Sequence, residues 1–172
     1  MDNGISAETN DMEITLGEYG KPQLLNHADV QFNLSHSGNM AMCIISSDDV
    51  GCDIEEIQDD KHKIAERFFN SEEVASINAK KTESEKDLAF FRVWTLREAY
   101  YKMEGTGIGL PFDIDGFDVS GVKAHFLCRE YDDKYAIFEF DEVPGYATSI
   151  CVKNPSACKP ELSLIELANI GY

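Results

Sequence analysis

No stretch of this chain stays apolar for the roughly 20 residues that a membrane-spanning helix needs, so the sequence predicts no membrane span. Its first twenty residues contain no Lys or Arg and no apolar core segment. They predict no signal peptide, and the expected setting is cytoplasmic. C-x-x-C pairs are absent, and the five cysteines (Cys43, Cys52, Cys128, Cys151 and Cys158) are odd in number and scattered. That pattern argues against a disulfide framework or a zinc site. Cys43, Cys52 and Cys151 lie in apolar, strand-like stretches and read as buried, reduced thiols. Positive charge is scarce: 15 Lys and Arg stand against 32 Asp and Glu, for a net charge of -17. Binding to free nucleic acid needs a basic face, so that class of partner is set aside, and no membrane partner is expected.

What is present suits a globular chain. At 172 residues, one domain or two small packed halves can bury about 70% of the unfolded surface. Residues 13–16 predict a short strand, 17–22 a turn, and 30–34 a strand that ends at Ser35-His36-Ser37-Gly38. The apolar run 40–45, a turn at 46–49 and the alternating stretch 50–57 predict a hairpin. Residues 61–69 and 72–79 predict helices, with Asn70 and Ser71 as caps between them. The longest helix is predicted over 85–104 and stopped by Gly105. Ala89, Val93, Leu96, Tyr100 and Met103 form one apolar stripe on it, and Phe91 with Trp94 lies on the other side. A helix apolar on two sides is expected inside the protein. Strands are predicted over 117–119, 124–128, 135–140 and 147–152, and a last short helix over 163–168. The fold class is therefore α+β, with antiparallel strands packed on a long central helix.

Four groups of residues can carry chemistry. Asp53 and Glu55 in Gly51-Cys52-Asp53-Ile54-Glu55 share one face of a strand, opposite Cys52 and Ile54. Two such carboxylates repel unless a cation sits near, and Mg2+ takes one or two carboxylates together with substrate phosphates. Taken alone, the pattern also suits the wet face of an amphipathic strand. Glu98 and Lys102 share a face of the long helix, on the side of Phe91 and Trp94. They read either as a surface ion pair or as a carboxylate and ammonium for metal, base and phosphate work. His36, between two serines and before Gly38, is either a structural histidine or a donor to phosphate. Lys21 in Gly20-Lys21-Pro22 sits in a rigid turn where it could meet a phosphate.

The order and spacing of these blocks say more than any one of them. Asn33-Leu34-Ser35-His36-Ser37-Gly38, then Gly51-Cys52-Asp53-Ile54-Glu55, then Trp94-Thr95-Leu96-Arg97-Glu98-Ala99-Tyr100-Tyr101-Lys102, resembles the 4'-phosphopantetheinyl transferase superfamily, Sfp type. Gly20-Lys21-Pro22 and Gly105-Thr106-Gly107 fit the same likeness, which runs from about residue 17 to about 111. The resemblance implies a 4'-phosphopantetheinyl transferase-like fold over residues 17–172, mostly its C-terminal pseudo-half, behind an acidic segment over 1–16. It implies transfer of the 4'-phosphopantetheine arm of coenzyme A to a serine of an apo carrier protein (acyl, peptidyl or aryl), with release of adenosine 3',5'-bisphosphate. It implies Mg2+, with Mn2+ as a substitute, on Asp53, Glu55 and Glu98. Glu98 would take the serine proton, and Lys102 would steady the bridging oxygen. His36 would contact coenzyme A phosphate, with Ser35 and Lys21 near the adenosine end.

The chain departs from the family pattern in two places. Arg97 stands where the family usually has lysine, and arginine and lysine differ in shape. Few residues precede Lys21 where Sfp-type members usually carry a complete first half; a fragment of a longer chain, a shortened form, or a homo-oligomer or second chain that supplies the missing surface would each account for this. Carrier proteins are generally acidic, and a chain of net charge -17 repels them at long range. A local contact at Lys61, Lys63 and Arg67, beside Phe68 and Phe69, would offset this, although an ordinary amphipathic surface also explains these residues. Two other readings remain: a catalytically impaired member that binds coenzyme A or a carrier, and an unrelated Mg2+-dependent phosphate enzyme.

Overall fold

A computed structural model describes residues 13–17, 20–106 and 114–165. The 22-residue helix α2, Glu83–Glu104, is its axis. It starts where the side chain of Thr82 accepts from the Glu85 amide and Glu85 reaches back to the Thr82 amide, a reciprocal cap. It stops at Gly105, whose φ of 70° is left-handed and whose amide bonds to Tyr101 O. Glycine takes that conformation without a Cβ clash. The predicted stripe is inside: Val93, Leu96 and Ala99 have no exposure, and Ala89 and Met103 almost none. Phe91 is also buried and Trp94 packs against the same core, so the helix is covered on both sides as expected.

On one side, α2 lies against a three-stranded antiparallel sheet ordered β5-β9-β8, made of Val50–Glu56, Tyr146–Val152 and Ala136–Phe140. On another side lie the 3-10 helix Lys61–Arg67 and helix α1, Ser71–Asn78. Asn70 caps α1 by accepting the amides of Glu72 and Glu73, and Ser71 is the first helical residue. The strands β1 (Ile14–Leu16) and β2 (Pro22–Leu24) pair, as do β6 (Phe117–Asp118) and β7 (His125–Phe126). The α+β class with antiparallel strands on a central helix is what the chain forms. Residues 163–165 are not helical, and 1–12, 107–113 and 166–168 lie outside the described residues.

The hairpin expected from 40–45 and 50–57 does not form. β4 (Met40–Ser46) pairs instead with β3 (Gln31–Ser37) through a turn at Gly38 and Asn39, in a register that sets Ser35 opposite Met42. The segment Ser35-His36-Ser37 is therefore strand, not the turn that ends one. β5 pairs with β9 in a register that sets Val50 opposite Val152. Pairing with β9 lets Cys52 and Ile54 bury against Ile150, Val152 and Phe140, with Met42 of β4 in the same cluster. β4 reaches β5 by its side chains and gives its backbone to β3. The outer face of that hairpin is bare: Leu34, Cys43 and Ile45 are exposed. The thiol of Cys43 is thus exposed, contrary to its expected burial, because nothing described covers that face.

Candidate functional site

Gly51 lets α2 come close to β5. A Cβ there would collide with the Ala99 carbonyl oxygen and the Met103 amide nitrogen. With that contact in place, Asp53 of β5 and Lys102 of α2 meet. Lys102 Nζ donates to Asp53 Oδ1 at 2.6 Å and to Ser35 Oγ at 2.9 Å, and Ser35 Oγ donates to Asp53 Oδ1 at 2.7 Å. Asp53 is 2% exposed, and its other oxygen, Oδ2, is buried with no hydrogen-bond partner among the described residues. A buried carboxylate oxygen left unsatisfied is costly, and such an atom points to a ligand that completes it.

Glu98 is buried too, at 9% exposed. Burial, with the Asp53 and Glu55 charges adding to it, pushes its carboxyl up to about 7. Burial also pushes Asp53 up from the usual carboxylate range, against the pull of Lys102 and Ser35 and with the Glu55 charge adding. Glu55 is half-buried and accepts from Ser37 Oγ at 2.8 Å. The structure therefore gathers Asp53, Glu55, Glu98, Lys102 and Ser35 into one electrostatic neighbourhood. Among the described residues no group of three or more His, Cys, Asp or Glu side chains stands where it could hold a metal ion, so Asp53, Glu55 and Glu98 do not form a ready-made ligand set. Mg2+ does not require one, since it keeps waters and substrate phosphates in its shell. The unpartnered Asp53 Oδ2 and the crowded acids, which a divalent cation would relieve, fit such an ion.

Two predicted residues lie apart from this group. Lys21 Nζ donates to Met103 O at 2.7 Å, so it caps the C-terminus of α2. Burial pulls its ammonium below the usual lysine range. Beside it is a cavity of about 220 Å3, lined by Gly20, Lys21, Pro22, Tyr101, Lys102 and Gly105. That cavity connects the Gly-Lys-Pro turn to the end of α2 at Lys102. His36 is exposed, on the opposite side of β3 from Ser35 and Ser37, and is not brought to the carboxylates.

Sequence reasoning missed two features. Asn33, Ser35 and Ser37 recur every second residue on β3 and all face β5, a period-two signal within the block that had been read for Ser35 and His36 as coenzyme A contacts. Arg97, one position before Glu98, points elsewhere: Nε donates to Glu73 Oε1 at 2.9 Å and Nη2 to Glu73 Oε2 at 2.6 Å.

A profile of the 4'-phosphopantetheinyl transferase superfamily matches residues 49–151, which include β5, α2 and β9. The chain is 32% identical over 151 residues to the 4'-phosphopantetheinyl transferase Sfp of Bacillus subtilis, covering 86% of this chain and 66% of that protein. It is 34% identical over 158 residues to the 4'-phosphopantetheinyl transferase gsp of Aneurinibacillus migulanus, covering 89% and 65%. It is 40% identical over 96 residues to the 4'-phosphopantetheinyl transferase AcpT of Salmonella typhimurium, covering 54% and 50%. The chain spans just under two thirds of the length of the first of these relatives, and half of the last.

Proposed function

Because the chain belongs to the 4'-phosphopantetheinyl transferase superfamily, we propose that it transfers the 4'-phosphopantetheine arm of coenzyme A to a serine of an apo carrier protein. The observation that carries this reading is the contact between β5 and α2. There a buried Asp53 with one unpartnered oxygen, a desolvated Glu98 and Lys102 share one site. Asp53, Glu55 and Glu98 would hold the divalent cation, Mg2+ or Mn2+. When bound, that ion would neutralise the pyrophosphate of coenzyme A and the charge that develops on it.

The residues of the chain supply the rest. The Glu98 carboxyl, lifted to about 7 by burial before a cation binds, would be held ionised beside that cation and free to accept a proton. Glu98 therefore takes the proton from the carrier serine, directly or through a water. The serine oxygen forms a bond to the phosphorus that bears the pantetheine arm. The bond from that phosphorus to the bridging oxygen breaks, and the electron pair leaves with adenosine 3',5'-bisphosphate. Lys102, in reach of both Ser35 and Asp53, steadies that leaving oxygen. The cavity at Gly20, Lys21 and Gly105 suits the nucleotide end of coenzyme A. We place the reaction in the cytoplasm, where the five free thiols stay reduced. A second copy of the chain is our proposed source of further coenzyme A contacts.

Incubation of the full chain with coenzyme A, Mg2+ and a panel of apo carriers, read by carrier mass, tests this. A gain of the phosphopantetheine mass that is lost with chelator and in Glu98→Ala supports transfer. Coenzyme A binding with no gain on any carrier would replace it with the binding-module reading.

A further inference from the structure

Among the described residues, β5 pairs with a strand through its backbone along one edge only. Along the other, three side chains of β3 take the place of a backbone ladder. Asn33 Oδ1 accepts the Cys52 amide at 3.1 Å, Ser35 Oγ the Ile54 amide at 3.4 Å, and Ser37 Oγ the Glu56 amide at 3.1 Å. Those amides alternate along β5, as the amides on one edge of a strand must. The first purpose is plain, since a buried amide without a partner is costly.

The two serines do more than Asn33. A hydroxyl has one proton and two lone pairs. Ser37 Oγ accepts from Glu56 N, so its proton is committed to Glu55 Oε2, at 2.8 Å. Ser35 Oγ accepts from Ile54 N and Lys102 Nζ, so its proton is committed to Asp53 Oδ1. Each serine is thereby fixed to the β5 backbone on one side and to a carboxylate on the other. Asp53 is held by Oδ1 alone, which leaves Oδ2 as the unpartnered oxygen.

We propose that Ser35 and Ser37 are positioning residues that clamp one oxygen each of Asp53 and Glu55 and so aim these carboxylates at a divalent cation. This rests on the cation reading given above. Asn33, Ser35 and Ser37 then form a template that registers the acid-bearing strand, and the spacing of two in Asn33-Leu34-Ser35-His36-Ser37 matches that of Asp53 and Glu55. Removing a group that orients a metal ligand typically weakens metal affinity by about 10- to 100-fold.

The test is titration of the full chain with Mn2+ alone at pH 8, with free Mn2+ read by its paramagnetic resonance signal and Tm measured in chelator by calorimetry. Ser37 is half-buried, so Ser37→Ala is the variant least exposed to misfolding. The expected result is Mn2+ affinity about 10-fold below wild type in Ser37→Ala, a Tm within a few degrees of wild type, and recovery of affinity in Ser37→Thr, which keeps the hydroxyl. Ser35→Ala is expected to lose affinity as well. If wild type binds Mn2+ and both alanine variants bind it equally well, the clamp is wrong and the cation site stands. Failure of Ser37→Thr to recover the affinity would also overturn the clamp. If wild type binds no Mn2+ even with coenzyme A added, the cation reading itself falls and the clamp falls with it.

Discussion

Arg97 grips Glu73 with two parallel hydrogen bonds, 2.9 Å from Nε to Oε1 and 2.6 Å from Nη2 to Oε2, where Glu73 has no exposed surface. Glu73 Oε1 also accepts the Phe117 amide, and Oε2 the Asn70 amide of the α1 cap. One buried carboxylate thus ties α2, α1 and β6 together. A lysine offers a point charge and not a planar fork, so it satisfies one oxygen at best. Arg97→Lys is expected to lower unfolding free energy by about 2–4 kcal/mol, read by urea denaturation. At a temperature where the variant is folded, its catalytic constant is expected to match wild type, because Arg97 turns away from Asp53 and Glu98. Unchanged stability with a collapsed catalytic constant would move Arg97 into the site.

Glu98 gives a dependence on pH whose sign is fixed. Its carboxyl, ordinarily near 4.5, is pushed up to about 7 in the folded chain, chiefly by burial. The folded state then holds the proton more tightly than the unfolded state. Stability from this group is present below pH 4.5 and is lost as pH rises through about 7. With chelator present, Glu98→Gln is therefore expected to be more stable than wild type at pH 8, by about 2 kcal/mol. The gap should close near pH 5, as read by calorimetry. A gap equal at both pH values would place its cause outside this carboxyl. Saturating Mg2+ is expected to shrink the pH 8 gap by stabilising wild type alone.

Gly51 tests the closeness of β5 and α2. Gly51→Ala would drive a methyl group into the backbone of Ala99 and Met103, which cannot yield as a flexible side chain would. Overpacking of this kind costs about 1–3 kcal/mol or more. Because Asp53 is two residues away, the variant is expected to lose transfer activity by a larger factor than its stability loss alone explains. Circular dichroism melts paired with single-turnover rates separate the two. Wild-type rates in a destabilised Gly51→Ala would show that the site does not depend on this approach.

Much of this arrangement was legible in the sequence, for reasons that differ by element. Helix α2 announced itself through the stripe from Ala89 to Met103 and Gly105 at its end, both local signals that the fold leaves intact. Asp53, Glu55, Glu98 and Lys102 were legible as two pairs, each set by the period of its own element. That the pairs belong together came only from the family resemblance, because the approach of α2 to β5 depends on a missing side chain at Gly51. Strand pairing was misread for a similar reason. The segments at 40–45 and 50–57 look like a hairpin when taken together, but β5 is claimed by β9, almost a hundred residues later. No local pattern encodes that contact. The serine ladder was visible as a spacing of two, yet its meaning needs the amides of β5 opposite it.

The surface over the 3-10 helix offers the last prediction. Arg67 is exposed, and it lines a cavity of about 590 Å3 together with Phe68, Phe69, the buried Arg97 and the acids Glu72 and Asp115. Lys63 is exposed nearby and donates to Asp60 Oδ1 at 2.5 Å, a pair too wet to add much stability. On a chain of net charge -17, the exposed cations Lys63 and Arg67 beside Phe68 would offer an acidic carrier a local contact that offsets part of the long-range repulsion. Charge reversal at both positions, Lys63→Glu with Arg67→Glu, is expected to raise the carrier KM by about 10-fold, one tenfold step per 1.4 kcal/mol. The coenzyme A KM and the Tm should stay near wild type. The difference in carrier KM between variant and wild type should narrow as ionic strength rises, since screening weakens interactions between exposed charges of either sign. An unchanged carrier KM in the double variant would remove this patch from carrier binding and leave Lys63 and Arg67 as ordinary solvated charges.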